Sequence, residues 1–147
     1  MQGIQLERIE LREIELPLKN AFRTSFGVTT KRRVIVVRVV DQSGATGYGE
    51  CTAMEQPVYN PETVDTSWAT ITRSLVPILR EAHVTQASDV SSAFAAIKGN
   101  RMAIAAVETA VWDLEAKILN KPLSHHLGGT LNEIACGVSI GLQESRG

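Results

Sequence analysis

Aliphatic residues at positions 4, 6, 9, 11, 14 and 16 are set among glutamates and arginines at a period mostly of two, the pattern of a strand with one wet face. Pro17 then breaks the ladder. Residues 20–30, NAFRTSFGVTT, mix Gly27 and hydroxyls with two aromatics, Phe22 and Phe26, that a solvated loop does not need. Something is expected to cover them. Residues 33–40, RVIVVRVV, are rich in β-branched side chains and run into Asp41-Gln-Ser-Gly44 and a short GATGYGE segment, which predicts a hairpin. The first 50 residues thus predict a three-stranded antiparallel meander with an apolar loop between its first two strands.

The period then changes. Pro61-Glu62-Thr63 is expected to open a helix with Pro in its first turn, running through Trp68, Ile71, Leu75, Ile78 and Leu79 to about Ala82, with Pro77 bending or splitting it. Ser88 or Asp89 is expected to cap a shorter helix ending at Gly99. Asn100 can cap a third helix whose Ala-rich face, through Ala103, Ala106, Val107, Ala110 and Leu114, permits close packing, with Asn120 and Pro122 closing it. After the break at Leu127-Gly128-Gly129, residues 134–140, IACGVSI, lack polar alternation until Ser139 and predict a buried-sheet strand. Such a strand wants neighbours on both sides, yet only seven residues follow it, so a parallel α/β domain is expected to begin near residue 130 and to be cut off.

A 44% hydrophobic content over 147 residues supports a sizeable core, with one compact domain as the length-based expectation. Net charge −1 gives no field to hold a polyanion, and the basic run Lys31, Arg32, Arg33 is too short to change that, which argues against nucleic acid. No apolar stretch approaches the roughly 20 residues of a membrane span and no signal-peptide core is visible, so a cytoplasmic location without membrane partners is expected. Cys51 and Cys136 lack metal-ligand or disulfide spacing and are read as reduced thiols.

Gly44, Gly47 and Gly49 imitate a phosphate loop, but a strand follows them instead of a helix N-terminus, so they are read as hairpin glycines. Adjacent His125 and His126 do not share a helix face and read as a partly exposed helix end; His83 reads as a charge at a helix C-terminus. Glu108, Asp113 and Glu115 have no Lys, His or Cys placed beside them for proton transfer and are given structural roles, as are Trp68 and Trp112. What remains are residues 20–30 and 51–60 (CTAMEQPVYN), both apolar and both at ends of the meander. Neither contains a candidate base. They read equally as binding surface or as two loops packed on each other.

The ordered series NAFRTSFG, YGECTAMEQPVYNPET, GNRMAIAAVETAVWDLEAKILNKPLSHHLGG and IACGVSIGLQ resembles the start of enolase-superfamily enzymes of the muconate-lactonizing subgroup. It is most similar to the o-succinylbenzoate synthase / N-acylamino acid (N-succinylamino acid) racemase type, and the resemblance covers essentially the whole chain. It implies an α+β capping domain over residues 1–127, then, from 128 to 147, the start of a truncated (β/α)8 barrel.

The resemblance further implies that two cap loops close over the barrel mouth, so that Phe22, Arg23, Thr24, Phe26, Met54 and Tyr59 shape the pocket around the acyl and side-chain ends of a small carboxylate substrate. Ser139, near the C-terminal end of the first barrel strand, would face the same site. The implied chemistry is proton abstraction next to a carboxylate, with Mg2+ stabilising an enediolate. Its lysines and Asp/Glu/Asp metal ligands belong to later barrel strands, so no catalytic or metal residue is assigned and the chain alone is expected to be inactive. The whole enzyme is expected to be a homo-oligomer. Dipeptide epimerase or muconate cycloisomerase is the alternative within the superfamily; a non-catalytic α+β binding or scaffold module is the alternative outside it.

Overall fold

The computed structural model describes residues 3–25 and 27–138. Three antiparallel strands, β1 (Leu6–Thr24), β2 (Gly27–Asp41) and β3 (Thr46–Cys51), form one sheet in the order β1-β2-β3. The register pairs Leu11 with Val37 and Val37 with Gly49. Alternation puts Ile35, Val37 and Val39 at 0% exposure on the face that meets the helices. The meander expected from the sequence is present, with one difference. Residues 20–30 are not a loop: β1 and β2 run on past Pro17, pairing resumes after an irregularity with Phe22 opposite Thr29, and the strands close near Thr24 and Gly27. Pro17 is tolerated because β1 is an edge strand and needs no ladder hydrogen bond from it.

The helical layer is α1 (Val64–Thr70), a π-helical turn (Ile71–Leu75), α2 (Val76–Glu81), α3 (Ser88–Ala93), α4 (Arg101–Ile118) and the single turn α5 (Leu123–His126). Pro61 lies ahead of α1, not within its first turn; Thr63 is the N-cap, in a reciprocal capping box with Thr66. Pro77 does not end the run, but the run is divided directly ahead of it by the π-helical turn. Its ring would crowd the carbonyl four residues back in a regular helix, and the wider turn at 71–75 lies against it on the N-terminal side while helix continues to Glu81. Neither Ser88 nor Asp89 caps α3 in the expected way; the Asp89 carboxylate reaches back to the Thr85 and Gln86 amides, and those hydrogen bonds, Thr85 first, hold its pKa below the ordinary value. Asn100 precedes α4 but is left-handed (φ 51°) and makes no cap with its side chain. Capping is supplied from elsewhere, by Glu62.

α4 crosses β3 through its small face. A Cβ on Gly47 would collide with the Ala110 carbonyl oxygen, and one on Gly49 with that of Ala106. Gly44 (φ +86°) is the true turn glycine; the other two permit helix and sheet backbones to touch. The expectation that no Lys or His stands beside the α4 acids is overturned, because residues four and eleven positions on return to them: Asp113 accepts the Tyr48 amide (2.8 Å) and pairs with Lys117 (2.6 Å), while Glu115 accepts the Ala87 amide (3.2 Å) and meets His126.

The strand expected at 134–140 is not formed over its described part. Residues 133–138 carry no regular structure, and Leu131, Ile134 and Val138 are 77%, 75% and 88% exposed. Among the described residues none pairs with this stretch, and its apolar side chains are left uncovered. Residues 139 and 140 lie outside the described residues.

Candidate functional site

One end of the meander gathers the two segments that the sequence singled out. The first half of β2, from Val28 to Arg33, faces the segment after β3, and together with Ala53, Met54, Glu55, Gln56 and Val58 it lines a groove of about 340 Å³. The groove mixes apolar side chains with threonines, three cations and the acidic Glu55. Val28 and Val58 are more than half exposed, while Lys31, Arg32 and Arg33 supply the charge.

Each cation is held by a partner. Arg33 donates to Glu13 (2.7 Å) and Asp65 (2.8 Å), which ties β1, β2 and α1 together; its hydrogen bond lowers the Glu13 pKa, and Glu13 with Asp65 raises that of Arg33. Lys31 pairs with Glu15 at 2.8 Å, and that hydrogen bond raises its pKa. Arg32 donates to the Thr52 carbonyl at 2.8 Å, fastening the start of the second segment to β2. The Met54 carbonyl accepts the Val64 amide at 3.0 Å, and Met54 bridges to Thr63. The stretch between Met54 and Asn60 is exposed.

The predicted residues separate under this geometry. Met54 lines the groove and is 38% exposed. Phe22 pairs with groove-lining Thr29 across the strands, but its ring is 57% exposed and does not line the cavity. Arg23 and Thr24 stand beside it on β1, opposite Val28 and Gly27. Tyr59 is 78% exposed. Phe26 and Ser139 lie outside the described residues. Lys31, Arg32 and Arg33 also line the groove, although the sequence alone assigns this basic run no binding role; their place there follows from the return of residues 53–58 beside β2, which no local pattern announces.

Among the described residues no three His, Cys, Asp or Glu side chains are grouped to hold a metal ion, so these residues do not fit Mg2+ and no chemical step is derived through it. No helix among them is long and apolar enough to cross a membrane.

Comparison with known proteins places this architecture. Residues 8–128 match the family described as mandelate racemase / muconate lactonizing enzyme, N-terminal domain. The chain is 44% identical over 141 residues to an o-succinylbenzoate synthase of Geobacillus stearothermophilus, covering 96% of this chain and 38% of that protein. It is 35% identical over 142 residues to an N-succinylamino acid racemase of Amycolatopsis sp, covering 97% of this chain and 38% of the racemase. A crystal structure of an enolase-superfamily member from Listeria innocua superposes with a TM-score of 0.89 at 35% identity, over 99% of this chain and 38% of that one. The chain thus spans 38% of the length of these relatives. An antiparallel meander backed by helices, matched over residues 8–128, makes this chain a member of the mandelate racemase / muconate lactonizing enzyme N-terminal domain family, within the enolase superfamily.

Proposed function

We propose that this chain is the capping portion of an enzyme of the o-succinylbenzoate synthase / N-acylamino acid racemase type. Such an enzyme abstracts a proton next to a carboxylate, and the enediolate stabilisation that Mg2+ supplies would come with the barrel. The cap would comprise residues 1–127, with 128–147 leading into the first barrel strand. Phe22, Arg23, Thr24, Phe26, Met54 and Tyr59 would shape the pocket around the acyl and side-chain ends of the substrate, joined by Ser139 from the barrel side.

One observation carries the reading: Val28 to Arg33 and Ala53 to Val58 converge on a single groove at one end of the sheet, with Phe22 and Tyr59 exposed nearby in sequence. Exposed aromatics beside a groove are surface that another body is built to cover. Similarity to a synthase and to a racemase over the same residues supports a shared substrate class, a small carboxylate with a variable acyl or side-chain end.

The test joins this chain to the remaining 62% of the G. stearothermophilus synthase, the complement of the 38% it matches. The fusion should turn over the cyclohexadiene precursor of o-succinylbenzoate, an N-succinylamino acid, or both, and EDTA should abolish it. The 147-residue chain alone should show no turnover with Mg2+. A fusion that folds but acts on neither substrate would favour the non-catalytic module.

A further inference from the structure

Glu62 stands where a solvated residue would be expected, just after the exposed stretch 55–59, yet it is only 6% exposed. Its carboxylate accepts the Met102 amide at 3.0 Å and the Ala103 amide at 3.2 Å, the second and third backbone amides of α4, which have no acceptor within the helix. This is a cap delivered from about 40 positions away along the chain. A local cap was at hand in Asn100, but that side chain turns to the Lys98 carbonyl and to Thr70 instead. Burying a carboxylate is costly unless it is hydrogen-bonded, and two amides at a helix N-terminus offset that cost.

The same residue is the last link of the segment that carries Met54 and Tyr59. Its own amide donates to the Asn60 side chain at 2.8 Å, closing a turn over 60–62. Two residues on, the Val64 amide donates to the Met54 carbonyl at 3.0 Å. The far end of the segment is held by Arg32 on the Thr52 carbonyl. Residues 55–59, between these fastenings, are exposed. α4 is rigid with respect to the sheet because its backbone touches β3 at Gly47 and Gly49.

We propose that Glu62 is a positioning residue: by docking on the N-terminus of α4 it sets where the Met54 to Tyr59 segment sits over the groove. Restraining both ends of a loop limits the conformations of the residues between. Only the step from position to substrate preference rests on the function proposed above.

Amide hydrogen exchange on the 147-residue chain tests the positioning itself. In Glu62→Ala the Met102, Ala103 and Val64 amides should exchange about tenfold faster, while Ile35 and Val37 in the sheet keep their rates. Glu62→Gln, which retains a carbonyl acceptor, should restore part of the protection and also serves if the alanine variant does not fold. Faster exchange at Met102 with no change at Val64 in either variant would overturn the proposal. In the fusion with the synthase barrel, Glu62→Gln should shift the ratio of kcat/KM for N-succinyl over N-acetyl substrates by about fivefold. Val90→Ala, a buried α3 change remote from the segment, should lower Tm without moving that ratio. If Val64 loosens and the ratio stays fixed, Glu62 positions the segment as proposed, and it is the assignment of residues 51–60 to substrate preference that fails.

Discussion

Nε2 of His126 lies 2.7 Å from Oε2 of Glu115, and the other oxygen of that carboxylate accepts the Ala87 amide, so one side chain of α4 secures both α5 and the start of α3. Both partners are largely covered, at 18% and 14% side-chain exposure, and the Trp112 ring sits 5.4 Å from the imidazole. Glu115→Ala strips the buried Ala87 amide of its acceptor and should cost about 1–3 kcal/mol in urea unfolding. His126→Ala should cost less, about 0.5–1.5 kcal/mol. In a double-mutant cycle the two should couple by at least about 0.5 kcal/mol; strict additivity would mean that α5 is held by other contacts.

The glycines of β3 give a sharper stability test. Gly47→Ala or Gly49→Ala drives a methyl into an α4 carbonyl and should destabilise by about 3 kcal/mol or prevent folding, because neither backbone can withdraw without unpacking the sheet. Gly44→Ala meets open space and has only its positive φ to contend with, costing about 1 kcal/mol. Equal melting temperatures for Gly44→Ala and Gly47→Ala would show that the helix lies farther from the strand than described.

Acid should act through Asp41 among others. This carboxylate is 5% exposed; burial alone would raise its pKa, but hydrogen bonds from Ser43 and Gln5 outweigh burial and lower it. A folded pKa below the unfolded one contributes stability that is complete above the ordinary value of 3.8 and is lost as pH falls through the folded value. Asp41→Asn should therefore flatten the acid limb of a Tm–pH profile below that point while lowering Tm at pH 7, where one acceptor is lost. Glu10, Glu13 and Asp89, also lowered, should keep some slope. An unchanged acid limb in Asp41→Asn would remove Asp41 from the balance.

Phe22 and Tyr59 are too exposed to hold the cap together. Phe22→Ala and Tyr59→Ala should each change stability by less than about 0.5 kcal/mol. In the barrel fusion, each should raise KM or alter acyl preference by about fivefold or more. A large fall in Tm with unaltered kinetics would mean that these rings serve the core.

The meander and α4 could be read from the sequence because their periods of two and 3.6 are strong and local. What escaped reading depends on two distant segments at once. Nothing around Glu62 announces that it caps a helix beginning at Arg101, and nothing within GATGYGE says that two of its glycines face Ala106 and Ala110. A joint reading could have found the second, since spacing two on a strand and four on a helix each keep one face. The extension of β1 and β2 to residues 24 and 27 was hidden by Pro17, which signals a break unless the strand is known to lie on an edge. In the candidate site, the apolar content of residues 20–30 and 51–60 pointed to the end of the sheet where the groove lies, but which side chains line it follows from register.

The π-turn gives the helical run from Val64 to Glu81 an arithmetic of its own. Its core-facing residues are Val64, Ser67, Ile71, Leu75 and Leu79, spaced three and then repeatedly four apart. Steps of four overshoot a 3.6-residue turn, so in a uniform helix such a stripe would wind off the core. The wider turn between Ile71 and Leu75 takes up the excess and returns Leu79 to the same line. The segment is thus sensitive to where its length changes more than to which residues fill it: exposed Thr72 and Arg73 are open to substitution, and deleting either would leave steps of three, four, three and four, which a uniform helix keeps on one face, whereas one added residue would rotate Leu75 and Leu79 off the core by about a quarter turn.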